Sequence, residues 1–86
     1  MKPYLICYDL VKPGQNYEGL INRLKEHGAF RVLLSQWALK TTWTPVQLRE
    51  DLKRYIDASD RLLITQVGDW ASWNLMASDQ FKEIAA

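Results

Sequence analysis

Pro3-Tyr4-Leu5-Ile6-Cys7-Tyr8-Asp9-Leu10-Val11-Lys12-Pro13-Gly14 is the stretch on which the reading of this chain turns. Tyr4 to Tyr8 is an apolar, β-branched and aromatic run, too short for a helix core and bounded by Pro3 and by Pro13-Gly14, which reads as a buried strand. It ends on a carboxylate. Burying that charge without partners would cost several kcal/mol, so Asp9 is expected where the strand leaves the core and meets water, a donor or a cation.

Downstream, Tyr17, Leu20, Ile21 and Leu24 fall at i, i+3, i+4 and i+7, the stripe of an amphipathic helix. Asn16 is its expected N-cap and Gly28 its left-handed end, with His27 in the last turn. Ala29 to Thr41 is rich in strand formers but too long for one strand. It is expected to fold as a hairpin turning near Leu34 to Gln36, although no Gly or Asn-Gly marks the turn. Thr44-Pro45-Val46-Gln47 is a capping box that opens a second helix, with Leu48, Leu52, Tyr55 and Ile56 on its buried side. Asp57 to Asp60 breaks that helix, and Arg61 to Val67 reads as a fourth strand ended by Gly68-Asp69.

The order β-α-β-β-α-β predicts an α+β, ferredoxin-like sandwich, an antiparallel sheet with two helices on one face. Apolar residues occur at both parities of the strands, so the second face is expected to lie against a partner sheet. Residues 1–76 are read as one domain whose tail, with Trp70 and Trp73, lies at a dimer seam. Residues 77–86 are read as a loosely ordered end, frayed or a loose helical turn.

At 86 residues the chain is near the lower limit for a self-sufficient core, which favours a homodimer. The composition is ordinary: 48% hydrophobic, 24% charged and a net charge of +1, so bulk charge does not mark a nucleic-acid binder. Residues 1 to 68 nevertheless hold ten Lys or Arg against seven Asp or Glu, leaving room for a local basic surface. Cys7 is the only cysteine, so no intramolecular disulfide can form. With no leader segment read at the start and no apolar run near the roughly 20 residues of a membrane span, a cytoplasmic protein is expected. No second histidine exists to complete a metal or triad pattern with His27, and no His-Asp pairing is expected.

The chain resembles the small CRISPR-associated adaptation proteins of the Cas-two family and their VapD-like relatives. Three matches carry this: the strand ending in Tyr8-Asp9, the run Gly28 then Arg31-Val32-Leu33-Leu34-Ser35-Gln36-Trp37, similar to the family's Arg-Val-x-x-Ser-x-Phe hairpin, and Asp60 opening a hydrophobic last strand. Gly68-Asp69-Trp70-Ala71 with Trp73 brings it nearest to the SinR-like branch, which has no settled biochemical role. The resemblance implies a homodimer that brings two copies of Asp9 together, able to share Mg²⁺ for RNA or DNA phosphodiester hydrolysis. In that scheme Asp9 binds the metal, Arg31 neutralises a phosphate and Ser35 hydrogen-bonds near the same strand ends, with Tyr8 and Trp37 joining Trp70 and Trp73 at the dimer interface. Some members of the family are instead dimeric scaffolds that bridge an integrase and DNA, and an antitoxin-type partner is a further expectation. A nucleic acid would then meet Lys12, Arg23, Arg31, Arg49, Lys53 and Arg54. The alternative expectation for Asp9 is a structural one, a carboxylate that caps a turn or helix or pairs with nearby Lys12 or Arg31.

Overall fold

Tyr4, Ile6 and Tyr8 are buried along one side of the first strand, β1 (Lys2–Asp9), and the other elements are arranged around them. The computed structural model describes residues 1–11 and 17–86, so the expected cap Asn16, the Pro13-Gly14 turn and Lys12 lie outside the described residues. Helix α1 (Glu18–Glu26) buries Leu20 and Leu24, as its periodicity requires. It ends in a Schellman motif: the Ala29 N–H donates to the Leu24 carbonyl at 3.0 Å and the Gly28 N–H to the Lys25 carbonyl at 2.9 Å. Gly28 has φ +83°, the left-handed conformation that glycine enters without a Cβ penalty.

Strands β2 (Phe30–Leu33) and β3 (Gln36–Thr41) form the expected hairpin, turning at Leu34-Ser35. Helix α2 (Pro45–Leu52) opens with the full capping box: Gln47 N–H donates to the Thr44 hydroxyl at 3.1 Å, and Thr44 N–H to the Gln47 side chain at 2.9 Å. A 3-10 turn (Lys53–Tyr55) follows, and Asp60 ties the break before β4 (Arg61–Gln66). Its carboxylate accepts from the backbone N–H of Asp57 at 2.8 Å and of Val11 at 2.9 Å, and from the Tyr17 hydroxyl at 2.9 Å. Burial works against that charge, yet these donors hold the Asp60 carboxyl below the usual carboxylate range.

The four strands form one antiparallel sheet in the order β2-β3-β1-β4, which is compatible with a ferredoxin-like type of fold. Helices α1 and α2 cover one face, where Tyr4, Ile6 and Tyr8 meet Leu20, Leu24, Trp37, Leu39, Leu48 and Leu52.

The second face departs from expectation. Residues Ser78–Ala85 form a third helix, α3, rather than a loose end, and its Phe81 is buried against Val32 and Ala38, with Leu5, Phe30 and Val67 around them. The chain itself therefore covers the β2-β3 half of the face expected to meet a partner sheet. A strip along β1 and β4 is left open, and Leu63 on it is 61% exposed. Among the described residues no helix is long and apolar enough to cross a membrane.

Candidate functional site

Side chains alternate across a strand, so the burial of Tyr4, Ile6 and Tyr8 under the helices sends Cys7 and Asp9 to the opposite, open face. There they line a cleft of about 320 Å³ with Ser35, Gln36, Arg61 and Leu63. The register of β1 and β4 sets Asp9 directly across from Arg61. The two charges approach to 3.8 Å, but both side chains are about three-quarters exposed (70% and 74%), so the pair is loose and water-screened. Ser35 is brought in by the hairpin turn, whose Ser35 carbonyl accepts from the Tyr8 N–H at 3.1 Å. Burial pushes the Cys7 thiol pKa up, so it contributes a neutral thiol rather than a thiolate.

Of the three residues expected to act together, the structure assembles Asp9 and Ser35 and leaves Arg31 out. Arg31 stands opposite Trp37 in the β2-β3 register, and its guanidinium lies 4.9 Å from the Trp37 ring centre. Trp37 belongs to the core beneath the helices, so Arg31 is on the other side of the sheet from Asp9. Its Nε is buried with no hydrogen-bond partner among the described residues. The cation at the cleft is Arg61, which was not singled out from the sequence. Only the strand register shows that it faces Asp9, since 52 positions separate them.

Two of the four residues expected at a dimer interface are core residues instead. Tyr8 and Trp37 are buried beneath α1 and α2, where the Trp37 indole N–H donates to the Tyr8 hydroxyl at 2.9 Å. Parity decides this, because both lie on the helix-covered face. Trp70 packs edge to face on Phe81 of the same chain, with ring centres 4.7 Å apart, whereas Trp73 is 87% exposed.

The expected basic surface is partly neutralised within the chain, where four of its cations share two carboxylates. Asp51, on α2, is buried and accepts from Arg23 Nε at 2.8 Å and Nη2 at 3.0 Å, and from Arg54 Nη2 at 2.9 Å. His27 Nε2 lies 2.7 Å from the same carboxylate, and the His27 ring packs edge to face on Trp43 with ring centres 4.7 Å apart. The His-Asp pairing that the sequence was not expected to form therefore exists, bringing together the C-terminal ends of α1 and α2. The Arg23 hydrogen bonds, opposed by burial and reinforced by His27, hold the Asp51 carboxyl far below the usual carboxylate range. Arg23 is correspondingly raised. Arg49 and Lys53 both reach Glu50, at 3.0 and 3.1 Å.

The cleft thus offers a carboxylate, a hydroxyl, a thiol and a guanidinium. Among the described residues no three His, Cys, Asp or Glu side chains come together as a metal cage. The cleft's only carboxylate among these residues is Asp9, with the Ser35 hydroxyl among the lining groups, and Mg²⁺ is the common cation that needs no more than one or two protein carboxylates. No family model matches this chain, and no solved structure matches it.

Proposed function

We propose that the chain is a homodimeric, cytosolic nucleic-acid-processing protein, and that the cleft at Asp9 is where a phosphodiester of RNA or DNA is bound and cut with Mg²⁺. The reading is carried by one observation: Asp9, Ser35 and Arg61 share a cleft on the part of the sheet that the chain leaves uncovered. Bound there, the ion would supply a Lewis acid and a water of lowered pKa. Asp9 would hold the ion or its water ligands. Arg61, rather than Arg31, would take a phosphate oxygen, since a guanidinium matches phosphate geometry and its present ion pair is weak enough to exchange. Ser35 would donate a hydrogen bond to the bound phosphate group.

The test is cleavage of labelled RNA and duplex DNA by the full-length chain with Mg²⁺, alongside Asp9→Asn. The variant should keep its circular dichroism and lose about 100-fold or more of the rate. Cleavage that persists in the purified variant would sink the assignment.

A second reading, a non-catalytic dimeric scaffold for nucleic acid or an integrase-like or antitoxin partner, is favoured by the Asp9–Arg61 pairing, which can serve simply to close the strand ends. It predicts salt-dependent binding with no hydrolysis at any Mg²⁺ concentration.

A further inference from the structure

The two edges of the sheet are treated differently. Strand β2 has a register shift between Arg31 and Leu33, and the tail crosses it, with the Met76 N–H donating to the Val32 carbonyl at 3.0 Å. A bulge and a covering segment are two of the ways proteins block edge-to-edge pairing. Among the described residues strand β4, at the other end of the order, has neither, and no strand pairs with its far side. Its sequence, Arg-Leu-Leu-Ile-Thr-Gln, contains no Pro and no charge beyond Arg61 at its start.

Which groups the edge presents follows from the ladder. The Val67 N–H donates to the Pro3 carbonyl at 2.9 Å, and the same register runs up to Asp9 and Arg61. Odd-numbered residues of β4 therefore bond to β1, and Leu62, Ile64 and Gln66 direct their N–H and C=O groups outward.

Resting on the homodimer proposed above, we infer that this edge is the seam: β4 pairs antiparallel with β4 of a second copy about a twofold axis at Ile64. The three outward residues are spaced symmetrically about Ile64, so this one register satisfies all of them, with Ile64 opposite its counterpart and Leu62 opposite Gln66. About six backbone hydrogen bonds result. Arg61, the strand's single charge, then meets the second copy beyond Gln66 and never faces its own counterpart. On the helix side the seam is bordered by a groove lined by Val46, Leu62 and Ile64, and Val46 is 56% exposed in the single chain. The twofold closes the association at two copies, because each chain has one such edge.

This seam has a consequence for the site. With strands about 4.8 Å apart and residues about 3.4 Å apart along them, the two Asp9 clefts lie on the same face of an eight-stranded sheet, roughly 25 Å from each other. That is too far to share a cation, so each cleft is a site of its own on one nucleic acid.

Two measurements on the full chain test this. Amide exchange followed by NMR should show protection of Leu62, Ile64 and Gln66 rising with the dimer fraction, while Leu63 and Thr65 stay protected at every concentration. Gln66→Pro removes an outward N–H that β1 does not use, and in sedimentation it should weaken the dimer about tenfold or more with the fold intact. A dimer whose Leu62, Ile64 and Gln66 amides exchange freely, or that Gln66→Pro leaves unchanged, overturns the seam and spares the homodimer. A chain that sediments as a monomer at all concentrations overturns both.

Discussion

Asp51 shows how one buried charge can set the fate of several others. It accepts hydrogen bonds from Arg23 and Arg54 and lies 2.7 Å from a histidine nitrogen, so the charges of α1 and α2 are held together at one carboxylate that is itself nearly sealed from water. Removing the negative charge would leave cations converging on a neutral group. Asp51→Asn is therefore expected to cost about 3 kcal/mol in urea unfolding at neutral pH, toward the low end for a broken buried pair because Arg54 can turn to solvent. The effect has a direction in pH. The folded carboxyl ionises at lower pH than an unfolded aspartate, so its stabilisation is complete above about pH 4 and is lost as pH falls through the native pKa below that. The Asp51 contribution to the gap between wild type and Asp51→Asn should accordingly be fully present at neutral pH and be lost on the acid side. A gap that widened on acidification would contradict the assignment.

At the level of elements, what could be read in advance was what local chemistry encodes. The Thr44 to Gln47 capping box, the Gly28 helix end and the stripe of α1 each depend on residues within a few positions of one another, and each forms as read. The hairpin was legible through its strand formers despite a turn with no marker residue. Helix α3 was not. It spans eight residues and follows Ala77 in a left-handed conformation at φ 51°, with no capping side chain, so the N-cap signal that announces a helix is missing even though Asp79 lies in its first turn and Lys82 in its last. Its existence depends on docking Phe81 against Val32 and Ala38, a tertiary contact across more than forty residues of sequence. Phe81→Ala should therefore remove the reason for the helix, with a cost of about 3 kcal/mol. Amide exchange over residues 78–85 should rise to that of an unfolded segment while β1 to β4 stay protected. Loss of protection throughout the sheet would instead make α3 part of a single folding unit.

For the molecule as a whole, the positions of charges matter more than their number. Counting Lys and Arg suggested a local basic surface, but Arg23 and Arg54 share Asp51, and Arg49 and Lys53 share Glu50, so about half of that charge is already answered within the chain. The candidate site was half legible for a related reason. Asp9 and Ser35 stood out as a strand end and a turn, whereas Arg61 becomes a neighbour only through the β1-β4 register, and Arg31 is carried away by its parity. If phosphates are met at the Asp9 cleft, nucleic-acid affinity should follow Arg61 rather than the α2 surface. Charge reversal at Arg61 is then expected to weaken binding of RNA or DNA and to reduce the slope of log affinity against log salt by about one per chain. Reversal of Arg49 and Lys53 together should leave that slope nearly unchanged, because neither side chain lines the Asp9 cleft. Binding that instead collapses on reversing Arg49 and Lys53, and survives Arg61→Glu, would move the nucleic acid to the helix-covered side of the sheet.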